Sequence, residues 1–168
     1  MSKLLYVASA TAGGSDTTLS VTGINSDDVY VVYCYDMYPA TDTATTYFRV
    51  TKSGTQDTAS SYTYGMDYNA DLQNTGQAQS EGFFSYSAVA GKRIVFRVEC
   101  YNFNSSSKKS FATVSTQIGT NFFCYGGFVH EVTSASDGLG IFPNTGNVAA
   151  GSRLVLYKQV ASWVSTDI

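Results

Sequence analysis

The feature that most constrains this chain is a two-residue alternation of apolar and polar side chains within short segments. It is clearest over residues 93–101, where charged or polar residues alternate with the apolar set Ile94, Phe96, Val98 and Cys100. A period of two places one face of a β-strand in a core, whereas it would scatter apolar groups around a helix. This segment therefore predicts a half-buried strand.

The same rhythm recurs along the chain, with turn residues between the apolar segments. The segments predicted as strands are 3–8, 18–22, 28–36, 46–52, 93–101, 111–118, 122–132, 141–142 and 153–158. About nine or ten short strands without a helical pattern are typical of a sandwich or barrel. We expect an all-β fold, an antiparallel two-sheet sandwich that is jelly-roll-like. Residues 1–158 would form a single domain, and 159–168 a short C-terminal tail.

Three segments carry more specific expectations. Residues 28–36 are apolar at both odd and even positions, which predicts a central strand covered on both faces. The pair Gly126-Gly127 interrupts a strand and predicts a bulge or bend. Residues 53–82 are polar and rich in Tyr, Asn and Gln, so we expect a long surface excursion there.

Charge and hydropathy exclude several partner classes. Charged residues make up 14% of the chain, against about 25% in a typical soluble domain. The net charge is −3, and the Lys and Arg residues are scattered, so no basic stripe predicts a nucleic-acid partner. No apolar run approaches the roughly 18 residues that span a bilayer. The apolar patch at 4–8 is too short for a signal peptide, so we expect no membrane partner and reduced thiols.

The residues that most often carry chemistry do not converge in the sequence. His130 is the single histidine, and its alternating neighbours predict a strand histidine at the sheet surface. The alternative, a nucleophile–His–carboxylate arrangement, lacks a GxSxG-like elbow. Cys34, Cys100 and Cys124 lie in predicted strands without metal-ligand spacing, so we expect buried structural thiols. The sequence predicts no catalytic residue, no metal and no cofactor.

Candidate binding residues are aromatic or apolar groups in regions where we expect exposure. Tyr62, Tyr64 and Tyr68 fall in the polar excursion; we expect them to serve in packing or in a protein interface, and the alternative is a carbohydrate platform. Trp163, Val164 and Ile168 lie in the C-terminal tail and could anchor a partner. In the alternative, Trp163 folds back to cover a sheet edge.

Two stretches carry a resemblance to a known group of proteins. Residues 47–65 read as a strand ending in FRV, a Gly turn, a polar loop and a Tyr-rich pair. Residues 134–159 contain a turn, the run GNVAAG from Gly146 to Gly151, and an LxLY strand. This layout is similar to the closing segment of many virion proteins of tailed bacteriophages, common among marine and cyanobacterial phages. Ala150 and Arg153 stand where small or hydroxyl residues are more usual.

The resemblance implies a fold and a context of use and no catalytic residue. It implies a virion structural protein, made in the host cytoplasm, that contacts the major capsid protein or other virion proteins and could form a homo-oligomer. The sequence contains no heptads or long repeats of the kind that form a fibre shaft. This favours a decoration or cement protein on the capsid surface. The alternative is a tail-associated, receptor-binding module that recognises host glycans, through the tyrosines named above or the 102–107 loop.

Overall fold

A computed structural model of the chain describes residues 2–38, 40, 44–68, 72–88, 93–118 and 122–161. These residues form strands and turns and no helix. The thirteen strands are β1 (Ser2–Thr11), β2 (Leu19–Thr22), β3 (Tyr30–Met37), β4 (Ala44–Lys52), β5 (Thr55–Gln56), β6 (Tyr62–Tyr68), β7 (Leu72–Gln79), β8 (Gly82–Ala88), β9 (Ile94–Tyr101), β10 (Ser110–Ile118), β11 (Phe122–His130), β12 (Gly138–Pro143) and β13 (Arg153–Ala161). The fold is all-β, as the alternation predicts.

Two antiparallel sheets pack as a sandwich. The larger sheet has eight strands in the order β1-β13-β3-β9-β10-β11-β6-β7, and the smaller has β2-β12-β4-β5 with β8 also paired to β4. The blocks β1-β13-β3-β9 and β2-β12-β4-β8 reproduce the two four-stranded sheets of a jelly roll, whose chain crosses repeatedly from one sheet to the other. The predicted sandwich is confirmed, and its strand order is that of a jelly roll.

The other strands are insertions into this framework. β6 and β7 lie in the chain between β4 and β8, and β10 and β11 between β9 and β12. All four extend the larger sheet past β9. The expectation of a surface excursion over 53–82 is therefore wrong: β6 pairs with β11 along its length and buries Tyr62 and Met66. The inward residues of β6 alternate with polar ones, so the segment as a whole looks polar in the sequence.

The core lies between the sheets and joins them through aromatic contacts. Phe48 on β4 meets Phe96 on β9 edge to face, with ring centroids 5.5 Å apart, and stacks on Phe128 of β11 at 5.9 Å. The apolar parity of β9 is fully inward, as predicted, and so are Leu154 and Leu156 of β13. All three cysteines are buried, as expected for structural thiols.

β3 is central in the larger sheet, but only its inner face is covered by the other sheet. The outward Tyr35 is exposed and Tyr33 is half-buried. The outward Val31 is nevertheless buried, because its cross-strand neighbours Tyr157 and Glu99 carry long side chains. The prediction of cover on both faces is thus wrong, since neighbouring side chains on the same face supply the shielding.

The Gly126-Gly127 pair makes no bulge. β11 stays in continuous register with β10 and β6 through both glycines. A Cβ on Gly126 would lie 2.1 Å from the carbonyl oxygen of Gly65 and 2.7 Å from the sulfur of Met66. Glycine is required here because a neighbouring strand and a core side chain approach the backbone closely.

The chain before and along the last strand follows the sequence pattern closely. Gly146 and Gly151 have φ values of 74° and 85°, a region that favours glycine. β13 then runs to Ala161, beyond its predicted end at Lys158. Its final residues pair with the start of β1, so both strands end at the same corner of the larger sheet.

Candidate functional site

The single histidine lies in a buried polar cluster and not at the sheet surface. His130 shares the inward parity of Cys124 and Phe128 on β11 and is fully buried, so the surface prediction is wrong. Its Nε2 lies 3.1 Å from Oδ2 of Asp57, and the same carboxylate lies 2.5 Å from Nζ of Lys52. Because Lys52 belongs to the smaller sheet and His130 to the larger, the cluster connects the two sheets.

Tyr62 completes this cluster. Its ring lies 4.9 Å from that of His130, and its hydroxyl donates to the carbonyl oxygen of Asp57 at 3.0 Å. The same hydroxyl accepts the N–H of Val50 at 3.1 Å. Burial raises the pKa of this phenol, and the side chain is inaccessible. The expectation that Tyr62 is exposed for binding is therefore wrong.

The electrostatics of the cluster keep the imidazole neutral at neutral pH. Burial lowers the pKa of His130, and the nearby Lys52 ammonium lowers it further, outweighing the attraction of Asp57. Burial alone would raise the pKa of Asp57, but its hydrogen bonds to Lys52 and the N–H of Ala59 hold it below its usual value. Because His130 is fully buried, a substrate cannot reach it. The cluster links the two sheets.

Of the other candidate binding residues, the structure describes the side chain of Tyr64 alone. Tyr64 is half-buried and packs against the core, because it shares the inward parity of Tyr62. The side chain of Tyr68 lies outside the described residues, as do Trp163, Val164 and Ile168. These four remain predictions.

The outer face of the larger sheet is rich in aromatic side chains. Tyr33 stacks on Tyr35 with centroids 5.8 Å apart, and its edge meets Tyr157 at 5.9 Å. The aromatic face, as we define it, comprises Tyr6, Tyr33, Tyr35, Tyr101, Phe111, Phe123, Tyr125 and Tyr157. The outer face of an antiparallel sheet is usually polar, and contiguous apolar surface of this kind marks interaction sites.

An open groove of about 420 Å³ crosses the aromatic face over β3, β9, β10 and β11. Tyr33 borders it on one side, and Phe123 and Tyr125, 52% and 58% exposed, border it on the other. Arg97 and Ser115 lie between them. This volume is within the range of about 300–1,000 Å³ typical of small-molecule sites.

A second exposed apolar region lies at the corner where β1 begins and β13 ends. Leu4, Leu5 and Tyr6 are 38%, 42% and 62% exposed. The ladder between β13 and β3 ends at Lys158, whereas β1 and β13 stay paired as far as Ser2 and Ala161. Of these three apolar residues, only Leu4 lies on the two-stranded ribbon beyond that point, because Leu5 pairs with Lys158 and Tyr6 with Tyr157 at its base. Leu4 and Tyr6 lie on the outer side of the sheet and Leu5 on the other side; we call Leu4, Leu5 and Tyr6 the ribbon patch.

In the described part of the chain, no group of three or more His, Cys, Asp or Glu residues is placed to hold a metal ion. No helix long and apolar enough to cross a membrane occurs among those same residues.

Comparison with known proteins returns no relative. No family model, no curated protein and no solved structure matches the chain.

The aromatic face and its groove were missed at the sequence level. The available signal was the spacing of aromatic residues at positions i and i+2, as in Tyr33/Tyr35 and Phe123/Tyr125. Aromatic residues at this spacing are equally typical of a covered strand. The strand order, together with the exposure of Tyr35, Phe123 and Tyr125, shows that no second layer of the described residues covers this side of β3 and β11.

Proposed function

We propose that the protein is a virion structural protein of a tailed bacteriophage that docks on the capsid surface as a decoration or cement protein. It works by adhesion and catalyses no reaction. The observation that carries this proposal is the exposed ribbon patch at one corner of a jelly roll. Covering an exposed leucine such as Leu4 removes its apolar surface from water, and this stabilises a complex with a partner.

Two further features support this assignment. Trp163, Val164 and Ile168 follow Ala161 in the chain, so the anchors predicted from the sequence come directly after β13, the strand that pairs with the one bearing the ribbon patch. The low charge of the chain means that a docking surface desolvates few ions. The partner is the major capsid protein or another virion protein, and the phage resemblance of residues 134–159 supports that choice.

Binding to the assembled lattice in preference to free subunits would stabilise the shell by mass action. The test is cosedimentation of the purified chain with capsids that lack it, followed by thermal release of DNA from those capsids. Leu4→Glu is the test variant. Val132→Glu is the control, because Val132 is 39% exposed, close to the 38% of Leu4, but lies after β11.

We expect the wild type and Val132→Glu to sediment with capsids and to raise the temperature of DNA release. Leu4→Glu should bind at least about tenfold more weakly, since a charge would enter an apolar contact. Equal binding of the two variants, or a wild type that stays in the supernatant, would contradict the proposal.

The second candidate is a tail-associated module that recognises host glycans. The observation that favours it is the groove between aromatic side chains on the larger sheet. The number of copies per virion separates the candidates, because a decoration protein accompanies the capsid lattice and a tail module does not.

A further inference from the structure

We propose that the groove on the aromatic face is a binding site for a neutral oligosaccharide. This inference does not rest on the capsid role; it deepens the second candidate, the glycan-recognising module, and rests on the same groove. It rests on the shape of the groove, on the chemistry of its walls and floor, and on its balance of charge.

The shape follows from the size of the outward residues in one cross-strand row. Register places Tyr33, Arg97, Ser115 and Tyr125 side by side on β3, β9, β10 and β11. Strands lie about 4.8 Å apart, so the two tyrosine positions are separated by about 14 Å. The short Ser115 side chain leaves a trough between them, wide enough for a pyranose ring and its hydroxyls.

The lining of the groove is mostly apolar, with a few polar groups. Aromatic faces at the borders can stack on the C–H faces of a sugar ring. Arg97 and Ser115 are among the polar residues of the lining, and a small number of polar groups is enough to fix the orientation of a small ligand. Sugars present apolar faces and a rim of hydroxyls, so an apolar trough with a few polar groups suits the face of a sugar ring.

The charge in the groove is balanced, which favours a neutral ligand. Arg97 forms an ion pair with Glu99, and its Nε donates to the hydroxyl of Tyr33 at 3.2 Å. Glu99 also accepts the hydroxyl of Tyr101 at 2.6 Å. The guanidinium is thus held in place and neutralised, while its five N–H donors exceed what these contacts engage. A phosphate or sulfate would have to compete with Glu99.

The experiment measures saturation-transfer NMR on the purified chain with three probes: maltotetraose, cellotetraose and N-acetylchitotetraose. Ser115→Trp fills the trough from an exposed position, and Tyr125→Ala removes a wall. Each has a matched control on the same sheet face at a residue that does not line the groove: Ser9→Trp on β1 and Phe111→Ala on β10. Thermal unfolding of each variant shows that it is folded.

We expect saturation transfer to at least one probe. Ser115→Trp should weaken that binding at least about tenfold, Tyr125→Ala about five- to tenfold, and neither control should change it. Absence of transfer to all three probes, or undiminished binding by folded Ser115→Trp, would overturn the proposal. If Ser115→Trp instead abolishes capsid cosedimentation and no probe binds, the groove is a protein interface and the glycan proposal is wrong.

Discussion

Acidification should destabilise the protein through one side chain, His130. The chain has a single histidine, and histidine is the side chain whose ordinary pKa lies between pH 5 and 8. In the folded state its pKa is lowered, first by burial and then by Lys52, while Asp57 and Glu131 oppose that change. Tyr62 on β6 packs against the imidazole, so a protonated ring would be enclosed on that side without gaining an anion.

The sign and the size of the effect follow from linkage. Because the folded pKa lies below the unfolded value of about 6.5, the unfolded chain binds more protons between the two, and stability is lost as pH falls through that window. The slope cannot exceed about 1.4 kcal/mol per pH unit, which limits the loss by pH 5 to about 2 kcal/mol. Asp57, whose folded pKa is also lowered, contributes only below its unfolded value, near pH 4.

The assay is urea unfolding at several pH values from 7.5 to 5, for the wild type and for His130→Gln. Glutamine keeps an N–H donor for Asp57 and takes up no proton in this range. The wild type should lose stability below about pH 6.5, and the variant should show a flat profile. A wild type that is more stable at pH 5 than at pH 7.5 would mean that the attraction of Asp57 outweighs burial and raises the pKa of His130. Equal slopes of stability against pH for both proteins would refute the reasoning altogether.

Two further predictions concern backbone packing and the thiols. Gly126→Ala should destabilise the fold by several kcal/mol or prevent folding, because the new Cβ would meet a carbonyl oxygen at 2.1 Å. The control is Gly65→Ala on the paired strand, where the nearest atom to a new Cβ is 4.0 Å away. This variant should change the midpoint of urea unfolding little. The three cysteines are buried, so a thiol reagent at pH 8 should label none of them quickly in the native protein and all of them in urea, and rapid native labelling would show that the sheets open.

The sequence was sufficient where local alternation alone decides which face is buried. Ile94, Phe96 and Val98 lie inward because a strand with one apolar face has one stable orientation, and Leu154 and Leu156 repeat the case. The turn at Gly146 was likewise local, since its positive φ needs no distant contact.

The sequence was insufficient where burial depends on strands that are distant in the chain. His130 and Asp57 meet because β11 pairs with β6 and the β5–β6 connection returns to the cluster. Tyr62 is buried for the same reason, although the polar residues around it predict exposure. Gly126 was misread as a bulge because the demand for glycine comes from Gly65 and Met66 on the neighbouring strand.

The candidate binding surfaces follow the same division. The sequence is rich in aromatic residues and poor in charged ones, and both surfaces share that composition. Their positions depend on the strand order, since Ser115 of β10 lies between Arg97 and Tyr125 only through the pairing of β10 with β9 and β11. Leu4 of the ribbon patch similarly lies on a two-stranded ribbon because β1 and β13 remain paired beyond the start of β3.

The most direct test of the central proposal, adhesion to a virion, is quantitative mass spectrometry of phage particles purified from the source of this sequence. We expect copy numbers comparable with those of the major capsid protein, and loss of the chain from particles carrying Leu4→Glu. Absence of the chain from wild-type particles would contradict the virion assignment, and a few copies per particle would contradict the capsid role.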